Sequence, residues 1–116
     1  MKFIQAKSKD VIGSSFAGCL VTTYEQLIEH LGIPHDRTQE GPWQSKDGKV
    51  WVEWAFKSRG KKPTVITVYD YKEVIPVDDV KIWHVGMKGD GHVVERFFKE
   101  KSLSKRDEPL DRSLLF

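Results

Sequence analysis

Residues Lys49–Lys57 read Lys-Val-Trp-Val-Glu-Trp-Ala-Phe-Lys, and residues Thr64–Lys72 read Thr-Val-Ile-Thr-Val-Tyr-Asp-Tyr-Lys. Both alternate with a period of two, the mark of a strand, because successive side chains leave a strand on opposite faces. Val50, Val52, Trp54 and Phe56 share one face of the first segment, and Trp51, Glu53 and Ala55 share the other. The second divides into Val65, Thr67, Tyr69 and Tyr71 against Thr64, Ile66, Val68, Asp70 and Lys72. Ser58–Pro63 between them is basic and contains Gly60, which suits a turn, so the two strands are predicted to form a hairpin. Apolar groups occur on both faces, which leaves open the side that packs against helices.

Working outward, Met1–Ala6, Phe16–Val21 and Val80–Val85 are further strand candidates. A helix is predicted from Thr22 or Thr23 to Leu31. Thr22 with Glu25, or Thr23 with Gln26, has capping-box spacing, and Leu27, Ile28 and Leu31 fall on one helical face. Gly32 suits the end of that helix and Pro34 prevents its continuation. A second helix is expected from Gly91 to Lys101, with Asp90 as N-cap and Val93, Val94, Phe97 and Phe98 as its apolar stripe. Pro34–Gly48 reads as a long loop. The order β-β-α-β-β-β-α points to an α+β domain, an antiparallel sheet of about five strands with two helices on one face. Residues 1–101 are expected to form this domain, and 102–116 a charged, mobile tail.

With 116 residues, 39% hydrophobic and 31% charged, the chain fits one domain with a modest core. No apolar run approaches the roughly 20 residues that cross a bilayer, so no membrane association is expected. The segment from Met1 to Lys7 lacks the apolar stretch of a signal peptide, which leads to the expectation of a cytoplasmic protein. Cys19, the single cysteine, sits among apolar neighbours and reads as a small buried thiol. The four histidines, His30, His35, His84 and His92, have no metal-ligand spacing, and no cofactor is implied.

A net charge of +2 is too slight to imply nucleic acid by itself, although Lys57, Arg59, Lys61 and Lys62 cluster in the hairpin turn. Glu53 and Asp70, on adjacent strands, are either an acid–base pair or cross-strand partners of nearby cations. Met87-Lys88-Gly89-Asp90-Gly91 places glycines and a lysine before a helix, where amides could receive a phosphate. Trp43, Trp51, Trp54, Phe56, Tyr69, Tyr71 and Trp83 all fall in one half of the chain. Most are expected to build the core, while one or two exposed rings would suffice to stack a planar ligand.

Val50 and Trp54, then Val68-Tyr69-Asp70-Tyr71-Lys72, then Trp83-His84-Val85-Gly86, together with Gly32-Ile33-Pro34 and Asp47–Val50, resemble a group of small phage-encoded proteins. The likeness spans about residues 18 to 98 and looks most like the Thoeris anti-defence sponge proteins. That resemblance implies sequestration of cyclic ADP-ribose signals, and sometimes cyclic oligonucleotides, in the host cytoplasm. It further implies no catalysis and homo-oligomers that share ligand sites.

Under this reading, position and chemistry nominate seven ligand-binding residues and no catalytic ones. Tyr69 or Trp83 would stack an adenine, and Arg59, Lys72 or Lys88 would meet phosphate. Asp70 or His84 would contact ribose hydroxyls. Other classes remain open. One is a protein–protein inhibitor of a host defence nuclease, of anti-CRISPR or anti-restriction type, with aromatic anchors. Another is a nucleic-acid binder using the basic turn. The third is a hydrolase built from Glu53, Asp70 and His84.

Overall fold

The computed structural model describes residues 3–34, 36–37, 52–70 and 79–106. The elements are β1 (Phe3–Gln5), α1 (Ser8–Val11), β2 (Ser15–Val21), α2 (Tyr24–Leu31), β3 (Asp36–Arg37), β4 (Val52–Ser58), β5 (Val65–Tyr69), β6 (Ile82–Lys88), α3 (Gly91–Glu100) and β7 (Lys105–Arg106). All described pairings are antiparallel, in the order β1-β4-β5-β6-β2-β7, with β3 also on β4. The molecule is an α+β domain, as the alternating strands led us to expect.

The face that the sequence left open is decided by α2 and α3. Leu27 and Leu31 of α2, and Val94, Phe97 and Phe98 of α3, bury against Val52, Trp54 and Phe56 of β4. Ile66 and Val68 of β5 and Trp83 and Val85 of β6 complete the same core. Phe97 is central to its α3 half, with ring centroids 4.8 Å from Phe3, 5.0 Å from Phe56 and 5.1 Å from Phe98. The ammonium of Lys101 lies over two of these rings, 5.8 Å from Phe97 and 6.0 Å from Phe56.

Local chemistry sets the ends of the elements. The Thr23 hydroxyl accepts the Gln26 amide at 3.2 Å to start α2, and Gly32, at φ +87°, donates to Ile28 O at 2.8 Å to close it. The Asp90 carboxylate accepts the His92 amide at 2.8 Å and starts α3. The β4–β5 turn is fastened twice, by Ser58 N donating to Thr64 O at 3.0 Å and Thr64 N donating to Ser58 Oγ at 2.9 Å.

Besides β3, which pairs with β4 inside the segment expected to be the Pro34–Gly48 loop, two features differ from expectation. A single turn, α1, interrupts what reads as an N-terminal loop and lies on the face away from α2 and α3. There Val11 packs with Ala6, Ala55 and Val65. Asp10 holds it by accepting the Lys7 amide at 2.8 Å and the Lys57 ammonium at 3.1 Å. The Lys7 hydrogen bond first, and then Lys57, hold the Asp10 carboxyl below the usual carboxylate range. The second difference concerns the boundary drawn after residue 101. Lys105 and Arg106 pair with Leu20 and Cys19, so the sheet takes in the beginning of the expected tail. Residues 107–116 lie outside the described residues.

Candidate functional site

Strand register assembles a cross-strand row on the face opposite α2 and α3. Glu53 pairs with Tyr69, Tyr69 with His84, His84 with Cys19, and Cys19 with Arg106. The next row sets Ala55, Thr67, Gly86 and Phe16 side by side. Gly86 has no side chain, and an added Cβ there would stand 2.6 Å from Thr67 Oγ1. Beside it, the Phe16 ring meets His84 edge-on, with centroids 5.6 Å apart, and His84 is tilted against Tyr69 at 5.8 Å. Three rings from three strands therefore run in a line, and Phe16 at its end is 45% exposed.

Phe16 also lines a groove of about 440 Å³ at the start of β2. Gly13 and Ser15 lie on its β2 side, with Lys88, Gly89 and Gly91 at the end of β6, Val94 and Glu95 on α3, and Lys105 on β7. Two lysines fasten the segment beside this groove from either end. Lys88 Nζ donates to Ile12 O at 2.9 Å, and Lys105 Nζ donates to Ala17 O at 2.8 Å. The Lys88 ammonium carries three donors, so its bond to Ile12 O leaves capacity for an anionic ligand. The backbone bulge between Phe16 and Gly18 turns the Phe16 ring relative to the rest of β2.

The start of α3 is a poorer anion site than the glycines of Met87–Gly91 suggest. The Asp90 carboxylate already takes the His92 amide, and Asp90 O accepts Val93 N at 3.1 Å and Val94 N at 3.3 Å. A phosphate arriving at this helix end would face a capping carboxylate, so positive charge in the groove comes from the lysines instead.

Of the seven expected ligand residues, Tyr69 and His84 come together in the aromatic row, and Lys88 reaches the groove. Trp83 does not. It is fully buried among the helices, stacks on Tyr24 with centroids 6.0 Å apart and 18° between planes, and donates its indole N–H to Thr22 O at 3.2 Å. Alternation puts it on the core face, where a ligand cannot reach its ring. Asp70 is likewise fully buried, and its carboxylate accepts the Val52 amide at 2.9 Å, a structural role that removes it from ribose contact. Arg59 stands exposed in the β4–β5 turn and is absent from the groove lining. Lys72 lies outside the described residues, as do His35, Trp43, Trp51 and Tyr71.

The acid–base pairing imagined for Glu53 and Asp70 is not formed, because Glu53 registers against Tyr69 on the outer face while Asp70 is buried against the Val52 amide. Glu53 and His84 stand two strands apart, roughly 10 Å across the sheet, with Tyr69 between them. Among the described residues no three His, Cys, Asp or Glu side chains gather as a metal-ligand set. Cys19 is completely buried, which suits a packing thiol. No described helix is long and apolar enough to cross a membrane.

Sequence reading missed Phe16 and Lys105. Phe16 looks like the first core residue of a strand, and only the bulge after it and the glycine opposite it leave its ring partly exposed. Lys105 was assigned to the tail, and its role depends on β7 pairing with β2. Compared with known proteins, the chain matches no family model, no curated protein and no solved structure.

Proposed function

We propose that this is a non-catalytic anti-defence protein of phage type that binds and sequesters a cyclic nucleotide immune signal in the Phe16 groove. The observation that carries this reading is a half-exposed ring beside two ammonium groups, in a groove whose volume of about 440 Å³ suits a small organic ligand. Phe16 would stack the base, a contact typically worth about 1–3 kcal/mol. Lys88 would meet phosphate oxygens, Lys105 would add positive charge across the groove, and His84, behind Phe16, would keep the ring in place. The resemblance to sponge proteins supports the ligand class, and the chemistry of the groove supports binding there.

The test is to incubate the protein with cyclic ADP-ribose isomers and cyclic oligonucleotides, remove free ligand, denature the protein by heat and assay what is released. Intact ligand should be recovered from the wild type and much less from Phe16→Ala or Lys88→Ala. No retention across the panel overturns the proposal, and recovery of a shortened product indicates an enzyme.

A second reading, inhibition of a host defence protein by direct contact, is favoured by Ile12. It is 74% exposed and adjoins Gly13 at the groove. Ile12 and Phe16 would then serve as apolar anchors. Co-purification of a host nuclease, abolished by Ile12→Asp, would select this reading over sequestration.

A further inference from the structure

The β4–β5 turn gathers cations from elements that are far apart in the sequence. Arg59, Lys61 and Lys62 are all exposed in it. The α1 turn is fastened beside this end of the sheet, because Lys57, one residue before the last of β4, grips Asp10. It brings the exposed Lys7 and Lys9 to the same region. Lys88 completes the set, since it pairs with Val65 at the start of β5 and donates to Ile12 O just after α1.

The carboxylates described nearby do little to neutralise these charges. Asp10 is engaged by Lys57 and the Lys7 amide, and Asp90 is engaged in capping α3. Glu95 stands across the groove on α3. Among the described residues, the other exposed acids are Glu25 and Glu29 on α2, which follows the end of β2, Asp79 before β6, and Glu100 at the end of α3.

The turn that carries the tip cations is also held in shape. Its two Ser58–Thr64 hydrogen bonds fix the ends of the loop, and Asp90 N donates to Thr64 Oγ1 at 3.0 Å, which ties the loop to the start of α3. Cations on a braced loop lose less freedom on meeting a partner than cations on a free chain.

We infer that this end of the molecule binds the phosphodiester backbone of nucleic acid without reading its bases. The partner must be polyanionic and extended, because the cations spread over the turn, α1 and β6 rather than converging on one point. The β4–β5 turn and α1 carry no aromatic residue, so base stacking adds nothing there. Affinity should therefore come from release of condensed counterions and fall steeply with salt. The surface meets the Phe16 groove at Lys88, but the groove lining includes none of Arg59, Lys61 and Lys62.

The test is fluorescence anisotropy with a labelled mixed-sequence DNA duplex of about 20 base pairs, titrated from about 50 to about 200 mM salt. Wild-type protein should bind at the lowest salt, with a linear loss of log affinity against log salt. The variant Arg59→Ala/Lys61→Ala/Lys62→Ala should bind at least about tenfold more weakly at the lowest salt, and its slope should shrink by roughly two to three. Lys7→Ala/Lys9→Ala, on a different element, should weaken binding independently. Circular dichroism will establish that both variants fold. Overturning results are absence of duplex binding at low salt, binding insensitive to salt, or a triple variant that binds as well as the wild type. Binding to phosphatidylserine vesicles without binding to duplex would also overturn it. The triple variant should retain ligand in the heat-release assay, so the two proposals fail separately.

Discussion

Trp54 and Trp83 meet edge to face with centroids 5.7 Å apart, and their indole N–H groups bond carbonyls at opposite ends of α2. Trp83 donates to Thr22 O before the helix and Trp54 donates to Gly32 O after it, at 3.2 and 2.8 Å. Two buried rings on β4 and β6 therefore fix the position of α2 along the sheet. A buried indole without an acceptor would cost free energy, and here each has one: Gly32 O, at the carbonyl-rich end of α2, and Thr22 O in the link before its N-cap.

Trp83→Phe should cost about 1–2 kcal/mol by losing that hydrogen bond and part of the ring, and Trp83→Ala about 3–5 kcal/mol by leaving a cavity. Urea denaturation measures both. Trp83→Phe should still retain ligand in the heat-release assay. A fold of normal stability that had lost all ligand would return Trp83 to the binding site.

Gly86→Ala should destabilise by about 1–3 kcal/mol, because its Cβ would press on Thr67 Oγ1, which is itself buried. Removing that oxygen with Thr67→Ala should recover part of the loss. The double mutant should thus be more stable than the sum of the single effects predicts, which a thermodynamic cycle in urea would show.

Asp70→Ala should cost roughly 1–3 kcal/mol, since it strips the Val52 amide of its acceptor inside the protein. Chemical denaturation provides the check. A surface carboxylate that held ribose would show the reverse pattern, with stability kept and ligand lost.

Asp10 makes stability depend on acid. Its carboxyl titrates lower in the folded chain than in the unfolded one, so the unfolded chain binds more protons between the two values. The contribution is complete above the ordinary carboxylate range and is lost as pH falls through the depressed folded value. Subtracting the stability-versus-pH curve of Asp10→Asn from that of the wild type should give a difference that is flat near neutrality and shrinks at the acidic end. A difference independent of pH would show that the Lys7 hydrogen bond and the Lys57 contact do not hold the folded carboxyl below its unfolded value.

What could be read in the sequence was whatever local chemistry determines. The β4–β5 hairpin announced itself through alternation and a basic turn. The ends of α2 and α3 followed from Thr23, Gly32 and Asp90, each within a turn of the bond it makes. What escaped depends on partners distant in the chain. The α1 turn is too short to show periodicity and is held by Lys57, and β7 is two residues that become a strand only beside β2. The candidate site was half visible for the same reason. Tyr69, His84 and Lys88 have the right chemistry, but Trp83 and Asp70 have it too. The register that sends one set outward and buries the other depends on which face α2 and α3 cover.

The place of β2 in the strand order bears on how the chain matures during synthesis. Both of its neighbours, β6 and β7, are made after every other strand, although β2 itself emerges near the beginning. A nascent chain therefore carries Leu20 and the Phe16 ring without their strand partners until β6 has left the ribosome. Translation that stalls before β6 would release a hairpin with an orphaned early strand, a species suited to chaperones or proteases rather than to any ligand.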